Sequence, residues 1–262
     1  MKINKKQVAK NFIKLIEIVE KLRSPDGCPW DKEQTHESLL PYLLEETYEV
    51  IESVETEDWK TLKEELGDVM LHVLLQAQIA NENSKFNIED SLKNINQKLI
   101  KRHPHVFGEK KLENFNRVKK SWEEMKHIEK DRVSRLDGVP KTLPALNRAQ
   151  RLQQKASYAG FDWENIEPIW EKLFEEIDEL KQAKISGIKS DIEEEIGDLL
   201  FTVVNISRFL EVSAEDMLRK ANDKFQNRFQ YIEKKLKISG ETLESATFEQ
   251  MNKIWDIAKK EE

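Results

Sequence analysis

At 262 residues the chain has room for one large domain or two of ordinary size. Its net charge of −7, without a long basic run, argues against nucleic-acid binding, and 35% charged residues against a typical ~25% describe modest cores under a heavily charged surface. No stretch of roughly 18 apolar residues and no apolar leader segment occurs, and the single cysteine, Cys28, precludes an intrachain disulfide, so a soluble, cytoplasmic protein with no membrane partner is expected.

With only 8 Gly and 7 Pro and abundant Glu, Lys, Leu and Ile, the chain leans towards helix. Apolar residues at Val8, Phe12, Leu15, Ile16, Val19 and Leu22 predict a helix over 6–23, broken by Ser24-Pro25-Asp26-Gly27-Cys28-Pro29-Trp30. Two further helices, 39–54 and 59–81, flank the acidic turn 55–58 and should pack antiparallel. A helix over 88–102 stops at His103-Pro104, because Pro104 disfavours helical geometry in the residue before it, and another is expected over 114–129. The segment 137–144 holds Gly138, Pro140 and Pro144 and reads as a linker. Helices over 170–184, 188–210, 214–236 and 248–259 then repeat the first plan. No period-two alternation long enough for a strand occurs, so the chain is expected to be all-α: two tandem related helical bundles, 1–136 and 145–262, joined by 137–144.

The repeat is sharpest in its acids. Glu45, Glu46, Glu49, Glu64, Glu65, Gly67 and Asp68 recur at a constant shift of 130 as Glu175, Glu176, Glu179, Glu194, Glu195, Gly197 and Asp198, whereas Tyr42 became Lys172 and Trp59 became Lys189. Residues three or four apart share a helix face, so Glu46 and Glu49 project together and Glu65 and Asp68 face them from the next helix. Converging carboxylates repel one another unless a cation lies among them, and an all-oxygen set open to phosphate suits Mg²⁺. Gly67 and Gly197 are costly inside a helix and suggest close backbone approach there. A di-iron bundle would need Glu-x-x-His pairs, which neither half supplies.

A metal-bound polyphosphate also needs cations for its outer oxygens. Lys98 and Arg102, then Lys224 and Arg228, are Lys/Arg pairs four apart downstream of each acidic set, and Lys172 and Lys189 give the second half more positive charge. Trp122 and Trp255, on the last helix of each half, are candidates for stacking on a base, with a core or interface role as the plainer alternative. His103 and His105 fit a self-packed loop better than a metal site. Cys28 has no partner His placed by sequence, which argues against a nucleophilic thiol.

These residues resemble the MazG family of nucleoside triphosphate pyrophosphohydrolases. The E-E-x-x-E then E-x-x-D pattern matches both halves. Gly27-Cys28-Pro29-Trp30-Asp31, Leu44-Glu45-Glu46-Thr47-Tyr48-Glu49, Arg102-His103-Pro104-His105-Val106-Phe107 and Gly160-Phe161-Asp162-Trp163 resemble its two-domain bacterial members, from about Leu22 to the C-terminus. The resemblance implies an all-α, usually dimeric enzyme that hydrolyses a nucleoside triphosphate to the monophosphate and pyrophosphate with Mg²⁺. Its metal ligands would be Glu176, Glu179, Glu195 and Asp198, with Glu46, Glu49, Glu65 and Asp68 as the N-terminal set. Lys172, Lys189, Lys224 and Arg228 would contact phosphates, and Trp255 would lie by the nucleotide. Glu175 and Glu176 are the catalytic candidates, Glu194 being an alternative to Glu175 for orienting water. The remaining alternatives are a dNTP- or dUTP-directed hydrolase with the same site and a non-catalytic acidic helical interaction module. Exposed apolar helix faces also lead us to expect a homodimer.

Overall fold

A computed structural model describes residues 2–108, 129 and 133–261, and among them every regular element is a helix. The chain divides into two compact units, Met1–Leu112 and Glu113–Glu262. That division falls ahead of the 137–144 segment. The helix expected over 114–129, with Trp122, lies outside the described residues apart from Glu129. No described helix is long and apolar enough to cross a membrane.

The first unit contains α1 (Lys5–Arg23), α2 (Pro29–Glu33), α3 (Leu40–Glu55), α4 (Trp59–Glu82), α5 (Ile88–Arg102) and α6 (Pro104–Phe107). Proline at the start of α2, α3 and α6 suits the first helical turn, where its missing N–H has no partner to lose. The apolar stripe of α1 packs Val19 against Leu39, Leu74, Leu75 and Ile79, with Phe12, Leu15, Ile16, Leu71 and Ile88 around them. Leu39 is wholly enclosed at the entrance to α3, so truncating it to alanine would cost about 2–5 kcal/mol. Polar ties then fix the entry to α3. Arg23 forks onto Glu82 at 2.8 and 2.9 Å and donates to the Asp31 and Gln34 carbonyls, while Gln76 Nε2 donates to the His36 carbonyl at 3.0 Å. Together these bring α1, α2 and the start of α3 onto α4.

The second unit contains α7 (Ala145–Tyr158), α8 (Glu167–Ser186), α9 (Lys189–Phe209), α10 (Ala214–Ser239) and α11 (Phe248–Glu261). Helix α7 has no counterpart in the sequence expectations. Its stripe of Leu146, Ala149, Leu152 and Ala156 is thin, and two of the side chains it buries, Gln153 and Lys155, are polar. Gln153 is satisfied across the unit, donating to the Phe201 carbonyl at 2.8 Å, and Gln150 both donates to the Val212 carbonyl and accepts from Ala214 N–H. Tertiary hydrogen bonds hold a helix that apolar periodicity does not announce.

The acid-bearing helices of each unit pack along their lengths, α3 on α4 and α8 on α9. Short turns send the chain back. Glu57 and its equivalent, Gly187, both take left-handed backbone, φ 56° and φ 72°, at the turning point. Glycine tolerates that conformation freely; glutamate does so at a cost of roughly 1 kcal/mol. The expectation of close backbone approach at Gly67 and Gly197 is not met: a Cβ at either would meet no described atom within 4 Å. Both lie on the open side of their helices, away from the packed seam.

Candidate metal centres

In the first unit, Glu46 and Glu49 stand one turn apart on α3 and meet Glu65 from α4; carboxylate oxygens of all three lie within 4.8 Å of one another. In the second, Glu176 and Glu179 on α8 meet Glu195 on α9 under the same limit. Helical three- and four-residue spacing puts each pair on one face, and the antiparallel return aims the third acid at it. Asp68 and Asp198 lie outside the tight triangles but act on them: each opposes ionisation of the neighbouring glutamate, Glu65 and Glu195 respectively.

The electrostatics are those of an uncompensated anion cluster. Burial, then the close Glu49 carboxylate, and after it the charges of Glu46 and Asp68, push the Glu65 carboxyl up to about 7. Glu46 is raised first by burial and then by Asp68 and Glu49, with His72 opposing the shift. Glu195 is raised by burial and by Glu179, Glu176, Asp198 and Glu194. A divalent cation bound within either triangle would remove this repulsion, and an all-carboxylate donor set fits a hard ion. The residues present therefore fit a metal.

The two centres differ in what surrounds the acids. Lys172, one turn before Glu176 on α8, places its Nζ 2.8 Å from Glu175 Oε1 and 2.8 Å from Glu176 Oε1, and these two bonds hold its proton more tightly than an ordinary lysine's. Glu176 is 3% exposed. At the equivalent place in the first unit, Tyr42 carries no charge and stacks on the buried His72 ring, centroids 6.5 Å apart, with Trp30 edge-on to it at 6.1 Å. His72 Nε2 comes within 3.9 Å of Glu46 Oε1, and His72 Nδ1 is buried without a hydrogen-bond partner among the described residues.

The remaining candidates are spread over both units. Lys189 opens α9, almost fully exposed, and pairs with Glu193 at 3.4 Å. Lys224 is exposed on α10, and one turn later the Arg228 guanidinium lies 5.3 Å over the Trp255 ring of α11. Phe225 packs against the same ring at a tilt, its centroid 5.3 Å from that of Trp255. Sequence reasoning passes over Phe225, although its spacing of four from Phe229 beside Lys224 and Arg228 is the signal for it. In the first unit, Lys98 is half-buried on α5 and Arg102 is buried at its end, so this arginine is less open to a ligand than Arg228. His103 and His105 follow at the joint between α5 and α6, where their rings pack together, centroids 5.6 Å apart, and His103 Nδ1 lies 2.7 Å from the Leu99 carbonyl.

Known proteins share this chain's sequence along nearly its whole length. The profile of the MazG nucleotide pyrophosphohydrolase domain matches residues 34–107 and 164–232, which take in both pairs of acid-bearing helices. The nucleoside triphosphate pyrophosphohydrolase/pyrophosphatase MazG of Thermotoga maritima is 48% identical over 250 residues, 95% of either chain. The nucleoside triphosphate pyrophosphohydrolase of Escherichia coli K12 is 42% identical over 257 residues, 95% of this chain and 97% of that one. A Bacillus subtilis protein, YabN, is 44% identical over 94% of this chain and 51% of its own length. Twice-occurring acidic helix pairs, an all-helical fold and this end-to-end similarity agree: the chain belongs to the MazG nucleotide pyrophosphohydrolase family.

Proposed function

We propose that this chain is a Mg²⁺-dependent nucleoside triphosphate pyrophosphohydrolase. It converts a nucleoside triphosphate and water to the monophosphate and diphosphate, accepts both ribo- and deoxyribonucleotides, and acts in the cytoplasm to cleanse or regulate the nucleotide pool. One observation carries the reading: three carboxylates converge within 4.8 Å beside a lysine in a unit that also carries Lys224, Arg228 and Trp255.

In this reading the second unit is the main catalytic one. Glu176, Glu179, Glu195 and Asp198 hold the Mg²⁺, which when bound neutralises charge on the phosphate oxygens. Lys172, Lys189, Lys224 and Arg228 bind the outer oxygens, and Trp255 stacks on the base. Glu175, or Glu194 from the next helix, orients the water and takes its proton as the water oxygen bonds to the α-phosphorus. The bond from that phosphorus to the bridging oxygen breaks, and diphosphate leaves. Glu46, Glu49, Glu65 and Asp68, with Lys98 and Arg102, form an ancillary set in the first domain, 1–136, which 137–144 joins to 145–262.

A homodimer accompanies this reading. Leu66, Met70 and Val73 form an exposed stripe on α4, and Ile196, Leu200 and Val203 repeat it at the equivalent positions of α9. Sedimentation of the purified chain tests this; a monomer at micromolar concentration removes it. For the activity, purified protein is incubated with Mg²⁺ and each common NTP and dNTP. Pyrophosphate is the expected product, and release of orthophosphate instead would falsify the reading.

A further inference from the structure

The two acidic triangles have the same acids at the same spacing but different fourth partners, and the difference has a consequence for ligand binding. At the second centre the Lys172 ammonium sits 2.8 Å from both Glu175 and Glu176, on the same helix, so the contact needs no movement of one element against another. Its side chain is 39% exposed while that of Glu176 is 4% exposed. The lysine stem therefore has room to leave, and the carboxylate does not. An ammonium and a divalent ion seek the same carboxylate lone pairs, and Glu176 is one of the three acids that converge.

We infer that Lys172 is an internal counter-ion: it holds Glu176 and Glu175 when no metal is bound, gives up Glu176 to the metal, and moves to the triphosphate, so that metal and triphosphate bind the second centre cooperatively. The inference rests on reading that centre as a metal site. Metal arriving alone must break the lysine's ion pair with Glu176. When a triphosphate is present, the displaced ammonium gains an anionic partner, and the cost of breaking the first pair is offset. By linkage, metal then strengthens triphosphate binding by the same factor as triphosphate strengthens metal binding. Among the described residues the first centre shows no such device at the equivalent position, where Tyr42 presents no charge to Glu46 and stacks on His72 instead.

The test uses the full chain carrying Glu46→Gln and Glu49→Gln, which silence the first centre, and Mn²⁺ followed by electron paramagnetic resonance. Without nucleotide, Lys172→Met should bind Mn²⁺ roughly fivefold tighter than the lysine-bearing chain, the size expected when a half-exposed ion pair no longer has to be broken, and Lys172→Arg should not. At saturating Mn²⁺, Lys172→Met should bind α,β-methylene-ATP about tenfold more weakly. Damage to the fold would weaken both, so the opposite signs are the signature. Equal or weaker Mn²⁺ binding by Lys172→Met, or unchanged analogue binding, overturns the lysine's role. The metal reading has its own control: Glu176→Gln with Glu179→Gln should abolish Mn²⁺ binding, and if binding persists that reading fails first. The converse substitution, Tyr42→Lys with Glu176→Gln and Glu179→Gln, should weaken Mn²⁺ binding at the first centre.

Discussion

The two carboxylate centres crowd their acids in the same way and differ in the charge beside them: Glu176 has the Lys172 ammonium at 2.8 Å, whereas Glu46 has the His72 imidazole at 3.9 Å. Glu65 is pushed up to about 7 among Glu46, Glu49 and Asp68, and the imidazole of His72 comes within 3.9 Å of Glu46. Its equivalent, Glu195, feels the same kinds of neighbour, but there Lys172 lies 2.8 Å from Glu176, one of the three converging acids. One substitution at a constant spacing, Tyr42 against Lys172, separates them. A duplicated acid pattern therefore need not mean two equal sites, because the charge that surrounds the acids decides what each can bind. The second unit also carries an exposed Lys224 and an Arg228 stacked on Trp255, where the first has a buried Arg102.

The largest expected effect separates the two centres outright. Glu176→Gln with Glu179→Gln should lower pyrophosphate release by about 100-fold or more, the scale of removing a preorganised group that stabilises developing charge. The matching Glu46→Gln and Glu49→Gln chain should keep most of its activity. If the first pair of substitutions is tolerated and the second is not, the assignment of catalysis to the second unit is reversed. Next in size, Lys224→Ala with Arg228→Ala should raise KM about tenfold with the fold intact by circular dichroism, as expected for the loss of charge-assisted phosphate contacts. An unchanged KM would remove both from the phosphate site.

The pH dependence of stability sharpens the contrast further. Glu65 titrates near 4.5 when unfolded and near 7 when folded, so between these values the folded chain holds the extra proton. Stability from this group is full below pH 4.5 and is lost as pH rises through 7. Melting in EDTA at a series of pH values should show the midpoint falling over that range, and Glu65→Gln should flatten the fall. The same slope in wild type and Glu65→Gln would show that repulsion at this triangle is relieved in another way.

The smallest effect lies at the entrances to the second acidic helices. Asp58 accepts from the Lys60 and Thr61 N–H groups at the start of α4, whereas its equivalent, Ile188, gives α9 no side-chain cap. Asp58→Ala should lower the melting midpoint by roughly 2–4 °C, and Ile188→Asp should raise it by less. If Ile188→Asp has no effect, the start of α9 is not limited by its unpaired N–H groups.

Much of this was legible before folding was considered. Helix α5 falls at its expected bounds, and seven more fall within a few residues of theirs, because apolar stripes at three- and four-residue intervals are local signals. The acids were legible for the same reason, since i, i+3 spacing on a helix fixes which side chains share a face. What escaped was held by contacts between residues far apart in sequence. Helix α7 buries Gln153 and Lys155, and the Phe225, Arg228 and Trp255 cluster joins α10 to α11. The short helices α2 and α6 begin at prolines that read as breaks, because a first-turn proline and a chain-breaking proline look alike in sequence.

The sequence by itself determined the helical class, the repeat, and the acid pairs on each helix, since those depend on periodicity and residue type alone. Only the tertiary structure decided that the acids of neighbouring helices close to within 4.8 Å, that Lys172 pairs with Glu176 beside one triangle while Glu65 is pushed up to about 7 in the other, and that Gly67 and Gly197 face open space. Coulomb energies and carboxyl protonation depend on distance and burial, and these exist only once α3 has folded against α4, and α8 against α9.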